Sequence, residues 1–207
     1  MEGTSYYMEG EERFGSCSSR IYSRFSGLHY WKYYRAIVRE VLKLHPESVL
    51  DVGCGPGDIL AHIAAENASV RLFGVDPSQG MVNAARKKIA RHGLAGRVTV
   101  EPGSSRDIPF TPEKFDLIIS SISFHHWKER KSSLENLSRH LKENGRIIIF
   151  DLDREQLPGK LPIFRNHTLA ETEEGEFEVE GFTTVITKLH GSGLLTLVLA
   201  RKEGNSP

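Results

Sequence analysis

Three carboxylates and three glycines are gathered around one short stretch of the chain, residues 48–58, SVLDVGCGPGD. Asp51 precedes the glycines, Gly53, Gly55 and Gly57 alternate, Asp58 follows, and Asp76 lies 19 residues beyond Gly57. Glycines at alternate positions let a backbone take positive φ or approach a ligand where side chains would obstruct it. Carboxylates on both sides of such a turn repel a phosphate and suit a cation. A second group with chemical capacity is His125–His126, two adjacent imidazoles that can accept or release a proton near neutral pH. Adjacent residues point in different directions, so at most one of them faces an acceptor, and a structural or surface pair is the plain alternative. Neither has cysteine or carboxylate neighbours at ligand spacing, so no metal site is expected.

The spacing narrows the ligand. A dinucleotide fingerprint needs glycine or alanine three residues after its second glycine, so that helix and strand pack closely around a pyrophosphate. Counting from Gly53 and Gly55, that place holds Asp58. The Walker phosphate loop is absent as well, because no Gly-Lys-Ser/Thr follows at the required distance. A cofactor with a cationic end and no phosphate fits, and S-adenosylmethionine, with its ammonium and sulfonium groups, has that character. Nucleotide sites place a carboxylate on the ribose hydroxyls about 20 residues after the glycine turn, which is the position of Asp76. The plain alternative for Asp76, just before Pro77, is a turn or helix-cap residue.

Elements that would hold these residues are legible on both sides. Val49, Leu50 and Val52 make a strand that runs into the glycine turn, and a helix follows over about Asp58–Glu66. Val70–Val75 is a second strand. Ser78 caps a helix through about Arg91, with Met81, Val82, Ala85 and Ile89 on its inner face. Arg97–Glu101 is a third strand, and Phe115–Ser121 a fourth, whose apolar run predicts burial on both faces. Ser132 and Glu135 read as a capping box for a helix carrying Leu134, Leu137 and Leu141, stopped at Asn144–Gly145. Arg146–Phe150 is a fifth strand. Gly181–His190 and Leu194–Arg201 read as an antiparallel pair across Gly191-Ser192-Gly193. Upstream, apolar residues at helical spacing predict one amphipathic helix over His29–Leu44. The stretch between Asp151 and Glu180 is the least patterned, with six glutamates from Glu171 onward and a helix expected over about Thr168–Glu174. Strand and helix in alternation predict an α/β sandwich with a mostly parallel sheet between helices.

Four phrases carry a family resemblance. LDVGCGPGD resembles the first motif of the class I S-adenosylmethionine-dependent methyltransferases, VRLFGVDPSQGMV the second, GSSRDIPF the adenine-recognising third, and LKENGRIIIFD the loop and strand near the end of the family's sheet. Aligning Pro109–Phe110 with the third motif's usual ending puts Ser104 and Ser105 where Asp-Ala is often found. The HHW after the fourth strand, with the overall size, is most similar to the ubiquinone/menaquinone C-methyltransferase type (methyltransferase type 11). The resemblance implies a Rossmann-like, seven-stranded, mostly parallel sheet in order 3-2-1-4-5-7-6, with an antiparallel seventh strand and helices on both faces. It implies S-adenosyl-L-methionine as cofactor, S-adenosyl-L-homocysteine as product, and a small-molecule methyl acceptor. Cofactor contacts are expected from Asp51, Gly53, Gly55, Gly57, Asp76, Pro77, Met81, Ser104, Ser105 and Ser120. His125 or His126 is the candidate general base, needed only if the acceptor must lose a proton.

Composition bounds the rest. At 207 residues the chain fits one domain with a full-sized core, here 29–207, preceded by an aromatic-rich segment over 1–28 expected to pack as a flap. Lys+Arg and Asp+Glu are 27 each, which gives no strong nucleic-acid signal. The KERK run at Lys128–Lys131 and the group Arg86, Lys87, Lys88 and Arg91 are expected to be solvated helix faces. Two cysteines, no apolar signal core and no stretch long enough to span a bilayer lead to a soluble cytoplasmic expectation. Oligomeric state has no signature in the chain. The competing functions are a nicotinamide oxidoreductase, disfavoured by Asp58; a non-catalytic S-adenosylmethionine-binding or partner-activating protein; and an RNA or protein methyltransferase. The missing Asn-Pro-Pro-Tyr type motif argues against amino-directed DNA modification, and two cysteines against arsenic methylation.

Overall fold

The computed structural model describes Tyr6 and residues 31–153, 177–189 and 191–202. In chain order the elements are α1 (Trp31–Leu42), β1 (Ser48–Val52), α2 (Asp58–Glu66), β2 (Arg71–Asp76), α3 (Gln79–Arg91), β3 (Val98–Pro102), β4 (Phe115–Ser121), α4 (Arg130–Ser138), β5 (Leu141–Leu152), β6 (Phe182–Leu189) and β7 (Leu194–Arg201). One seven-stranded sheet runs β3-β2-β1-β4-β5-β7-β6. The pairs among β1 to β5 are parallel, and β7 is antiparallel to both β5 and β6. The order and the reversed last strand are those implied by the family resemblance.

Strand side chains alternate faces, and each face is buried under helices. Val49 of β1 and Leu117 and Ile119 of β4 join a core with Ile37 of α1, Leu60 and Ile63 of α2 and Val82 of α3. Leu50, Val52 and Ile118 point the other way, into a core with Phe115, Phe124, and Leu134 and Leu137 of α4. Side chains such as Leu60, Ile63, Ile118 and Leu134 are fully buried. Each contributes about 1.5–3 kcal/mol, several times the propensity differences that would otherwise set local structure.

The region between β4 and β5 departs from the sequence reading. The helix there begins at Arg130 with Glu129 as its cap residue, so Ser132 lies in its first turn and donates to the Glu129 carbonyl at 3.2 Å. The Ser132–Glu135 capping box is not formed, because Ser133 N already bonds the Glu129 carbonyl. Nor does Asn144–Gly145 stop the helix. It ends at Ser138 and Leu141 re-enters the sheet opposite Phe115. Leu117 then pairs with Arg146, so two steps along β4 face five along β5, a bulge that takes up the extra residues. Gly145 sits where a Cβ would lie 2.7 Å from the Phe115 carbonyl. Its glycine serves close strand approach.

The basic clusters are solvated as expected at Arg86, Lys87, Arg91, Lys128 and Lys131, and Arg130 is the exception. Arg130 is buried, with its guanidinium 5.1 Å from the Phe124 ring centre, and Arg86 donates through Nε to the Val100 carbonyl and pairs with Glu101. The expected helix over Thr168–Glu174 lies outside the described residues. So does the 1–28 segment apart from Tyr6, whose carbonyl accepts from Arg106 Nη2 at 3.1 Å.

Candidate functional site

Strand order reverses direction at β1: the chain moves outward to β2 and β3, then returns to lay β4 on the other side. Loops leaving the carboxyl ends of β1 and β4 therefore diverge and leave a crevice, the usual ligand position in open α/β sheets. Its walls are the turn after β1, Asp76 at the end of β2, Met81 of α3, residues 121–123 and His126 after β4, and Tyr34 of α1.

Hydrogen bonds to β2 shape the glycine turn. Gly53 N and Cys54 N both donate to the Val75 carbonyl at 2.9 and 3.0 Å. Gly55 N donates to Asp76 Oδ2 at 2.9 Å, and Ser78 N to Asp76 Oδ1 at 2.9 Å. Asp76 thus ties the turn to the start of α3, where Ser78 Oγ accepts from Met81 N. Gly53 has φ 76°, and a Cβ there would fall 2.1 Å from Ser123 Oγ, so glycine is required for the β4 loop to close over the turn. Gly55 has φ 52° with nothing within 4 Å of a built Cβ; its face is open. Gly57 stands at the start of α2, against Ala85 of α3.

Electrostatics at the crevice are governed by two buried acids. Asp51 is 1% exposed, and its Oδ1 has no hydrogen-bond partner among the described residues. Burial, and then the neighbouring Asp76 charge, push its carboxyl up to about 8. Asp76 rises to about 6 through burial, partly offset by the Ser78 and Gly55 amides. The same burial and the same two charges hold the Cys54 thiol well above its usual range, so it is no thiolate nucleophile. Asp58 also lines the crevice, but its Oδ1 accepts from Lys88 Nζ at 2.6 Å. Lys88 offsets the charge that the sequence reading set against a pyrophosphate, leaving discrimination to Asp51 and Asp76. A buried acceptor with no donor, next to a second acid and an open backbone turn, fits a ligand that brings an ammonium and hydroxyl hydrogens.

The β4 side is a tight loop. Ile122 has φ 53°, unusual for a β-branched residue and typical of constrained functional loops, and its amide donates to the Phe150 carbonyl at 2.7 Å. The single turn Phe124–His126 follows. His125 Nδ1 lies 3.0 and 3.3 Å from the two oxygens of Asp151 on β5, and the His125 and His126 ring centres are 4.0 Å apart.

Of the residues picked from sequence, the fold gathers Asp51, Gly53, Gly55, Asp76, Met81 and His126 around the crevice. Gly57, Pro77, Ser104, Ser105, Ser120 and His125 are outside its lining. Ser105 Oγ donates to Ser133 Oγ of α4 at 2.9 Å, Ser104 bridges to Asp107, and Ser120 is fully buried in β4. Tyr34, Ser121, Ile122 and Ser123 line the crevice without having been singled out, and Asp151 was missed beside it. Asp151 did have a signal: IIIFD ends an apolar strand on an acid, as VLD does at Asp51 and FGVD at Asp76. Tyr34 had none, since its spacing is that of any buried helix residue.

A family described as "Methyltransferase domain" matches residues 49–145, from β1 into the β5 bulge. That match spans just under half of the chain. Among curated relatives, the ubiquinone/menaquinone biosynthesis C-methyltransferase UbiE of Geotalea daltonii is 35% identical over 104 residues, spanning 50% of this chain and 44% of that protein. The chain thus spans less than half the length of that relative. A SAM-dependent methyltransferase from Aquifex aeolicus superposes with a TM-score of 0.66 at 22% identity, covering 92% of this chain and 100% of the other. An O-methyltransferase from neocarzinostatin biosynthesis, solved with S-adenosyl-L-homocysteine and 1,4-dihydroxy-2-naphthoic acid, gives 0.72 at 19% identity, covering 90% and 59%. The solved structures share the class I methyltransferase fold with this chain. Among the described residues no helix is long and apolar enough to cross a membrane, and no group of three or more His, Cys, Asp or Glu is placed to hold a metal ion.

Proposed function

We propose that the chain is an S-adenosylmethionine-dependent methyltransferase acting on a small-molecule acceptor. The observation that carries this is the buried, undonated oxygen of Asp51 beside Asp76, on an open glycine turn within the residues that match the methyltransferase family. Asp51 would take the amino group of the cofactor and Asp76 its ribose hydroxyls, with the backbone at Gly53 and Gly55 admitting it closely. Both Asp76 oxygens already accept one amide each, and each keeps a second lone pair for a hydroxyl. When bound, the cofactor supplies a methyl group already activated on a sulfonium. The protein is left to orient the acceptor in near-attack geometry and to exclude water. Tyr34, Ile122 and His126 are the apolar and aromatic wall suited to that task. The quinone C-methyltransferase and naphthoate-bound O-methyltransferase among the similar proteins support a small cyclic acceptor. The low cysteine count supports a cytoplasmic location.

Calorimetry with S-adenosylhomocysteine tests the cofactor. The wild-type protein binds it and Asp76→Ala weakens binding at least roughly tenfold, as expected for lost hydrogen bonds to a charged group. No detectable binding, or an unchanged Asp76→Ala, rejects the proposal. Incubation with radiolabelled cofactor and fractionated extract tests the reaction. Label in the small-molecule fraction is expected. Label in RNA or protein would select that other class, and binding without any transfer would select a non-catalytic partner protein.

A further inference from the structure

Helix α1 has two unlike faces. Tyr33, Tyr34, Ile37, Val38 and Val41 are buried in the core, and Tyr34 also lines the crevice. Outward stand Trp31, Lys32, Arg35 and Arg39, with Lys43 just past the helix end, all exposed. At about 100° per residue these five fall within an arc of roughly 120°, so they share one surface. Glu40 is the one acid in the helix, and it is divided between Arg39 at 3.6 Å and Lys43 at 2.8 Å. Lys32 and Arg35 meet aromatic rings instead: Lys32 Nζ is 4.6 Å from the Tyr33 ring centre, and the Arg35 guanidinium 5.9 Å from that of Trp31. Large apolar side chains close the basic row at both ends. Trp31 is 47% exposed and Leu44 38%, about 20 Å apart at the helical rise. Four large hydrophobics are exposed among the described residues, and these are two of them. His62 of α2 meets the Trp31 ring edge-on at 4.9 Å, which holds the indole at the surface.

A basic row attracts a polyanion, and the apolar ends decide which one. Nucleic acid offers phosphates but no apolar layer for Leu44. An anionic bilayer offers phosphates to lysine and arginine, and beneath them an acyl boundary where indole and aliphatic side chains settle. We propose that the outer face of α1 docks on an anionic lipid surface, with Lys32, Arg35, Arg39 and Lys43 at the headgroups and Trp31 and Leu44 reaching the acyl boundary. The helix lies along the membrane, since no helix among the described residues is long and apolar enough to cross one. Tyr34 is on the inner side of the same helix, so docking brings the crevice within about one helix diameter, roughly 10 Å, of the lipid. The proposal stands independently of the methyl-transfer reading.

Flotation of the full chain with lipid vesicles tests it. Binding is expected to vesicles containing about one-third phosphatidylglycerol and not to pure phosphatidylcholine. Raising salt from about 0.1 M to about 1 M shortens the screening length from roughly 10 Å to 3 Å and should release the protein. The double variant Arg35→Gln/Arg39→Gln should lower the vesicle partition roughly 25-fold, about fivefold for each cation removed. Both positions are exposed, so its thermal midpoint should stay within about 2 °C of wild type. Tryptophan emission should shift to the blue on binding, and Trp31→Phe should abolish the shift. No flotation with anionic vesicles at about 0.1 M salt, equal flotation with neutral ones, or wild-type partition by the double variant overturns the proposal. Emission that vesicles leave unchanged overturns it too. Tighter binding to a single-stranded RNA than to the vesicles would assign the face to nucleic acid and overturn it as well.

Discussion

Asp51 is badly placed for stability and well placed for binding. Its ordinary value is 3.8 and its folded value about 8, so between roughly pH 4 and 8 the native state keeps a proton that the unfolded chain has released. Stability contributed by this group is therefore greatest at low pH and falls as pH rises through that window, with Asp76 adding the same trend up to about 6. Asp51→Asn removes the penalty. The ligand-free variant should be more stable than wild type at pH 8 by on the order of 1–3 kcal/mol, and the gain should shrink toward pH 5. Urea unfolding at the two pH values measures it, and an equal effect at both, or a loss at pH 8, would show that burial is not the cause. Sequence spacing was enough to find Asp51, Gly53, Gly55 and Asp76, because the glycine turn fixes their geometry locally. It was not enough for Asp151, whose meeting with His125 depends on the β4–β5 register, nor to show how the loop at Ser104 and Ser105 is held. The latter loop bonds to itself and to α4.

At the scale of elements, the sheet is held at its other end by one aspartate. Asp116 Oδ2 on β4 accepts from Glu47 N and Ser48 N, from Ser48 Oγ at 2.8 Å, and from Lys142 Nζ at 2.9 Å. It thereby joins the start of β1 to β4 and to the β5 bulge. Burial alone would raise this carboxyl, but the Lys142 and Ser48 hydrogen bonds outweigh it and hold it below its ordinary 3.8. A depressed folded value gives stability that is present above the unfolded value and is lost as pH falls below 4. Asp116→Ala should cost about 1.5–3 kcal/mol near neutral pH while leaving S-adenosylhomocysteine affinity intact, since the site lies at the opposite edge. Denaturant unfolding paired with calorimetry checks this, and a loss of affinity matching the loss of stability would contradict it. Elements with an apolar run and a local stop, β1, α2, β2 and α3, were legible to within a residue or two. The α4–β5 boundary was not. Leu141 fits a helix face by spacing, and only its pairing with Phe115 shows that it belongs to a strand.

For the whole molecule, zero net charge conceals a segregated field. Parallel strands deliver their final residues to one edge, and there the fold collects Asp51, Asp76, Asp151 and Asp153, all buried. Asp151 on β5 and Asp153 just after it have local cationic or titratable partners, His125 and Lys188, while the two at the crevice have each other. An ammonium-bearing ligand entering beside Asp51 and Asp76 favours their ionised forms, so binding must draw their protons off. S-adenosylhomocysteine should accordingly bind with release of a fraction of a proton up to about one at pH 7. By linkage its affinity should rise with pH from about 5.5 to 8, by up to roughly tenfold per unit for each proton released. Calorimetry in two buffers of different ionisation enthalpy reads the proton directly. Zero release, or uptake, would mean that the acids are already ionised or do not face the ligand. Asp51→Asn provides the control: it should release less than wild type and flatten the upper half of the affinity profile, because the carboxyl that titrates near 8 is gone while Asp76, titrating near 6, remains.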